Sequence, residues 1–137
     1  MKAFLCIAAL TSLTLAAGCG TARPYIDHAA RAVEYALNVG ELVADLAEEA
    51  GYPISVSAGV DSGPVTLGLT RGSGLVYDAW GSTLQRAADF ARRADPGTVV
   101  ISTASRSQLP STFETEPSTI EETVVVTGRV DASETVG

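Results

Sequence analysis

Residues 54–102 read ISVSAGVDSGPVTLGLTRGSGLVYDAWGSTLQRAADFARRADPGTVVIS. Ile54, Val56 and Ala58 alternate with Ser55, Ser57 and Gly59, the two-residue period of a strand that buries one face. Asp61-Ser62-Gly63-Pro64 is turn chemistry, so Val65 to Leu69 is expected to return as a second strand and complete a hairpin. Arg71-Gly72-Ser73-Gly74 leads into Leu75-Val76-Tyr77. That Gly-rich piece lacks the GK[ST] ending and the following helix of a phosphate-cradling loop, and it is read as a plain connection. From Gly81 to Ala94, Leu84, Ala87, Ala88, Ala91 and Ala94 make a narrow stripe of small residues suited to close packing on a sheet. Asp95-Pro96-Gly97 stops that helix, and Thr98 to Ser102 is the β-branched run of a buried strand.

Upstream, apolar residues from Ala29 through Val33, Leu37, Val43 and Leu46 to Ala47 keep the three-and-four spacing of an amphipathic helix over Asp27 to Glu49. Asp27 is the expected N-cap, and Ala50-Gly51 with Pro53 ends the helix. Glu41, Asp45, Glu48 and Glu49 crowd its polar face, which is read as solvated and, lacking Lys and Arg, unsuited to a membrane surface. Downstream, Ala104 to Leu109 is expected as a short helix stopped by Pro110. Ile120 to Val130 reads as one or two late strands, and Asp131 to Gly137 as a frayed tail.

A chain of 137 residues with 46% hydrophobic and 18% charged residues has the composition of one packed domain and lies far from the disordered class. Sixteen acidic against nine basic residues give a formal charge of −7. No Lys/Arg cluster supplies the patch that releases counterions from a nucleic acid, so nucleic acid is not an expected partner. Both cysteines, Cys6 and Cys19, lie at the start, leaving no disulfide framework or thiolate metal site beyond Gly20. The single histidine, His28, cannot form an imidazole-built zinc site alone and is read as a polar residue near a helix start.

The first nineteen residues carry two readings. Met1-Lys2 followed by AFLCIAALTSLTLAAGC has a positive start, an apolar stretch and small residues before Cys19, the pattern of a secretory lipoprotein signal. It implies lipidation of Cys19 and a membrane-anchored or exported product. In the other reading, implied by the likeness of TLAAGCGTARPYIDHAARAVEYAL to a segment of a known catalytic-domain family, Thr14 to Cys19 is a core strand entering a Pro-containing loop and then a helix, and the location is cytoplasmic. The organisation is then 1–19 as signal-like segment or partial core strand, 20–130 as the domain, and 131–137 as tail.

HAARAVEYAL, SAGVDSGPV, YDAWG and PGTVVIS occur here in one order and at one set of spacings. Over roughly residues 14 to 130 they resemble the C-terminal two-thirds of the class III adenylate and guanylate cyclase catalytic domain, whose own pattern is a helix, a GIHTGPV-like turn, a YD(I/V)WG segment and a PG-(I/V)-x-(I/V)-S strand. The resemblance implies an α/β, more strictly α+β, fold with a ferredoxin-like sheet, helices packed on one face, and the first strand and helix lacking.

What the resemblance implies for chemistry is mixed. Family members convert a nucleoside triphosphate into a 3',5'-cyclic monophosphate with two Mg or Mn ions held by two aspartates, one on the first strand and one on the hairpin before the long helix. No Asp or Glu precedes Asp27 here, so no metal cofactor is expected in this chain. Gln85 and Asp89 occupy the family's Asn and Arg positions, five and nine residues past Trp80 and one helical turn apart. Asp89 puts a negative charge where developing phosphate charge calls for a positive one. Asp78 matches the aspartate that reads the exocyclic amino group of adenine, and Arg129 resembles a phosphate-contacting basic residue. Arg92 and Arg93 are read as surface charges. The expectation is a degenerate, inactive cyclase-like domain that acts through homodimerisation, heterodimerisation with a cyclase domain, or regulation of nucleotide signalling, with ATP or GTP as small-molecule partner. The alternatives are a half-site of an active pair and an exported lipoprotein with an interaction domain.

Overall fold

In a computed structural model of the chain, residues 2–9, 14–19, 27–72 and 74–130 are described, with backbone alone at 2–9, 14–19, 67, 70 and 75–80. The tail at 131–137 lies outside the described residues. The order is β1 (Lys2–Ala9), β2 (Thr14–Cys19), α1 (His28–Ala50), β3 (Val56–Gly63), β4 (Thr66–Arg71), β5 (Leu75–Trp80), α2 (Ser82–Arg93), β6 (Val99–Ser102), α3 (Thr103–Arg106), β7 (Phe113–Pro117) and β8 (Thr123–Arg129). Six strands form one sheet in the order β2-β1-β3-β6-β8-β7, and β4 with β5 forms a separate two-stranded ribbon. The α+β class is as expected.

At the centre, β3 runs parallel to β6, with Ala58 beside Val99 and Val60 beside Ile101. Side chains alternate across a strand, so β3 offers a different surface to each side. Ala58, Val60, Val99, Ile101 and Val126 face Ala29, Ala32, Val33 and Ala36 of α1. On the other side Val100 packs with Phe90 and Ile120. A Cβ at Gly59 would overlap the Ala87 carbonyl oxygen and lie 2.6 Å from the Ala91 nitrogen. The expectation of helices on one face is therefore corrected: α1 and α2 cover opposite faces, because a central strand that is apolar on both sides needs a layer over each.

Other expectations shift for local reasons. The strand from Thr66 pairs with β5, Thr66 opposite Trp80, and not with β3. Pro64 has no N–H to give a ladder, and the Gly72 N–H bonded to the Gly74 carbonyl at 3.2 Å turns β4 directly into β5. YDAWG accordingly ends a strand. Asp27 stands at the N-cap of α1 but makes no side-chain cap; both its carboxylate oxygens accept from Arg31 Nε at 3.0 Å. Phe113–Pro117, read as no element from sequence, is the edge strand β7.

The apolar N-terminus is a strand pair. Thr14–Cys19 is a strand at the edge of the sheet rather than in its core, and Lys2–Ala9 is the strand beside it. β1 lies antiparallel to β3 through eight register pairs, from Lys2 with Gly63 to Ala9 with Val56. Cleavage before Cys19 would remove β1 whole and nearly all of β2. Among the described residues no helix is long and apolar enough to cross a membrane.

Two measurements test this packing. Gly59→Ala should destabilise the fold by about 1–3 kcal/mol through overpacking, read as a lower urea midpoint with unchanged m-value. His28 is buried, its Nδ1 has no hydrogen-bond partner, and burial lowers its pKa below the ordinary 6.5 despite Asp27. The unfolded state then takes up the proton at higher pH than the folded one, so stability present above pH 6.5 declines as pH falls through it and levels off below the folded value. His28→Gln should remove that part of the slope in melting temperature between about pH 7.5 and 5.

Candidate functional site

Strand β5 passes into α2 through Gly81 alone, at φ 139°, a backbone angle that L side chains rarely adopt. The start of α2 is fixed from below: Thr83 is buried, and its hydroxyl donates to the Pro64 carbonyl at 2.9 Å, against Gly63 at the end of β3. With Thr83, Ala87, Phe90 and Ala91 turned inward, Gln85 and Asp89 face outward one turn apart. Asp78 lies on β5 opposite Gly68, three residues before the junction. The three positions matched to the family site thus follow one another along a single strand-to-helix turn.

Asp89 does not stand alone. Arg93 Nη1 lies 3.2 Å from its Oδ2, and Arg92 Nη2 lies 3.7 Å from its Oδ1. Arg92 and Arg93 are exposed surface charges, and because residues three and four apart on a helix are neighbours, both guanidinium groups fold back on the one carboxylate. The spacing carried that signal. Two exposed cations therefore accompany the carboxylate at the position that the resemblance matches to the family's arginine.

Beneath the helix, Asp61 is only 1% exposed and belongs to β3, not to a turn. Its Oδ1 accepts from the Ser62 N–H at 2.9 Å, and its Oδ2 has no hydrogen-bond partner. The nearest cation is Arg86, whose Nη1 is 3.5 Å from Oδ2 and whose guanidinium lies 5.9 Å above the centre of the Phe90 ring. Sequence reasoning missed this pair, since nothing local links residues 61 and 86. Ser62, Ser102 and Ser105 continue the polar chain, the Ser62 and Ser105 hydroxyls 2.8 Å apart.

Arg129 is occupied. Its guanidinium donates from Nε to Glu34 at 2.9 Å, from Nη1 to Glu41 at 2.9 Å and from Nη2 to Asn38 at 2.8 Å. The hydrogen bond to Glu34, supported by Glu41, raises its pKa above the ordinary value. A phosphate would have to displace two carboxylates.

A pair of divalent cations needs several hard oxygen ligands. Among the described residues no three His, Cys, Asp or Glu converge, and the buried carboxylate Asp61 faces a guanidinium. The described residues do not fit the two-metal site. Among the described residues, clefts lie elsewhere: one of about 260 Å³ is lined by Arg93, Asp95, Thr98, Glu116 and Ser118, and another of about 400 Å³ by Asp27, Arg31, Glu34, Tyr35 and Asn38. Gln85 and Asp89 line neither.

With this geometry in place, the comparisons with known proteins converge. The sequence profile of the adenylate and guanylate cyclase catalytic domain matches residues 3–135. Adenylate cyclases of Mycobacterium bovis and Mycobacterium tuberculosis are 31% identical over 65 residues, 47% of this chain. The match spans 15% of those relatives' length. The fold is similar to that of the guanylate cyclase domain of RhGC from Catenaria anguillulae, solved with GTP, at TM-score 0.79 and 20% identity over 93% of this chain and 96% of that one. It is also similar to the adenylyl cyclase CyaB of P. aeruginosa, at TM-score 0.78 and 12% identity over 99% and 96%. The guanylyl cyclase domain of RhoGC from Blastocladiella emersonii, solved as a dimer, is similar at TM-score 0.78 and 19% identity over 93% and 96%. At these identities the solved structures bear on the fold.

The Asp61–Arg86 pair yields a test. Arg86→Leu leaves a buried carboxylate unpaired and should destabilise by about 2–4 kcal/mol, whereas Asp61→Asn with Arg86→Leu should recover most of that loss. Urea unfolding of the two single variants and the double variant measures the coupling; additive effects would mean the pair does not interact.

Proposed function

The chain belongs to the adenylate and guanylate cyclase catalytic domain family, and on that footing we propose that it is a cyclase-type domain that does not turn over nucleotide alone and works by pairing with a second such domain. The observation that carries this is the chemistry at position 89. A carboxylate stands where the family brings a cation to the transferring phosphate, and repulsion there removes stabilisation that typically amounts to ~3–4 kcal/mol per lost donor. The residues before α1 add to it: from Met1 to Ile26 there is no Asp or Glu to grip a divalent ion. Pairing is supported by a solved neighbour described as dimeric, and ATP or GTP is the nucleotide class that the family resemblance implies.

A second reading has its own support. Arg92 and Arg93, both exposed and held on Asp89, present cations on the outward face of α2. Exposed ion pairs of this kind contribute only ~0–1 kcal/mol, so a phosphate brought by a partner that carries the metal aspartates can draw them away from Asp89. In that arrangement this chain is half of an active pair.

For the N-terminus, the pairing of β1 with β3 supports retention of residues 2–19 in the folded domain, with the cytoplasmic location that goes with it. Intact mass in the native host checks this, and a lipid-modified chain starting at Cys19 would favour the anchored alternative.

Purified chain incubated with Mn or Mg and either ATP or GTP is expected to form no cAMP or cGMP, and Asp89→Arg alone should leave it silent because the metal ligands are still missing. Mixed with a complete cyclase domain, it should change that domain's output without adding a site of its own. New product that disappears with Arg92→Ala/Arg93→Ala would establish the half-site reading instead.

A further inference from the structure

The first half of α1 is buried on the sheet and the second half is not. Its buried residues are His28, Ala29, Ala32, Val33 and Ala36. Tyr35, Val39, Leu42 and Leu46 recur at intervals of four, three and four, the a/d spacing of a helix seam that accepts another helix; Val39 is half-buried and packs against the core, so the outward members of the seam are Tyr35, Leu42 and Leu46. Leu42 and Leu46 are 60% and 54% exposed, and Tyr35, Tyr52 and Ile54 are also exposed. Large apolar side chains left in water in a row mark an interaction surface when they are contiguous.

One flank of this seam is acidic in a repeating way. Glu34, Asn38 and Glu41 stand at positions i, i+4 and i+7, and the guanidinium of Arg129 fills that triple with contacts of 2.8–2.9 Å. Seven residues on, Glu41, Asp45 and Glu48 repeat the spacing, with Glu49 beside them. Among the described residues no cation pairs with Asp45, Glu48 or Glu49, and no basic residue lies in the last turn. The negative end of the helix dipole adds to this field. Arg129 thus displays, inside the molecule, the chemistry that the next repeat lacks.

We infer that the outer seam of α1, from Tyr35 to Leu46, is a docking surface for a helix of another protein that carries an apolar stripe and arginine or lysine along one flank. Leucine-type side chains of the partner fill the Tyr35–Leu46 seam, and its basic flank meets Asp45 and Glu48 as Arg129 meets Glu34 and Glu41. A second copy applied by the same face would bring its own Asp45, Glu48 and Glu49 against this seam, and a membrane surface bearing anionic lipid is repelled by the same charges. The surface is on α1, across the sheet from Gln85 and Asp89 on α2, so the inference stands whether or not the chain forms cyclic nucleotide.

The test uses the full chain and a labelled synthetic 21-residue amphipathic helix with leucines along its seam and arginines on one flank, plus the same peptide with glutamates in place of arginines. Fluorescence anisotropy should show binding of the arginine peptide only. Leu42→Ser/Leu46→Ser, on exposed positions, should weaken it at least ten-fold with the protein's charge unchanged, and Asp45→Asn/Glu48→Gln should reduce its salt dependence. Hydrogen exchange on the unaltered chain should show peptide-induced protection within residues 39–50, which needs no variant. Binding that is indifferent to either double variant, or protection confined to other elements, would overturn the inference. So would a sedimenting dimer that Leu42→Ser/Leu46→Ser dissociates, or seam-dependent binding to vesicles of phosphatidylcholine and phosphatidylglycerol.

Discussion

Helix α2 can lie where it does because position 59 has no side chain. The Ala87 carbonyl and the Ala91 amide occupy the space a methyl group would take, which brings helix backbone onto strand backbone at the centre of the sheet. The small-residue stripe of α2 is the matching half of that contact, and Thr83, bonded to Pro64, fixes the helix along its axis. Once Ala87 and Ala91 are turned to the sheet, the 3.6-residue period sends Gln85 and Asp89 outward with no further choice. The placement of the positions matched to the family site is therefore a consequence of a packing constraint, and their chemistry is decided separately by which residues stand there.

That chemistry is one of arginines already engaged. Arg86 faces buried Asp61, Arg92 and Arg93 fold onto Asp89, and Arg129 bridges Glu34 and Glu41. In a chain with nine basic and sixteen acidic residues, cations are scarce, and at Arg86, Arg92, Arg93 and Arg129 a polyanion competes with a carboxylate. The contests differ in strength. Exposed pairs around Asp89 exchange readily with water, while Arg129, held by two carboxylates and an amide with its pKa raised, is committed to joining β8 to α1.

Much of this was legible in the sequence, and what was not has physical reasons. The helix from His28, the buried run Val99–Ser102, and the turn from Trp80 into α2 all follow from local periodicity and from Gly and Pro punctuation. The partner of β4 did not, because strand pairing is a nonlocal choice that Pro64 and the Gly72–Gly74 turn decide only together. The sidedness of the helices was hidden because alternation at Ala58, Gly59 and Val60 looks half-polar when Gly59 is in fact a helix contact. Asp61 with Arg86 is invisible along the chain, whereas Asp89 with Arg92 and Arg93 sat in plain helical spacing. The Lys2–Ala9 strand has the composition of a signal segment, and composition cannot separate an apolar strand in a sheet from an apolar segment bound for a membrane.

The central proposal is that the chain does not hold a metal–nucleotide complex by itself. Isothermal titration of the purified chain with ATP or GTP, in the presence and absence of Mn, measures that directly. The account predicts no Mn-dependent binding with either nucleotide. Stoichiometric binding that requires Mn and is lost on chelation would contradict it.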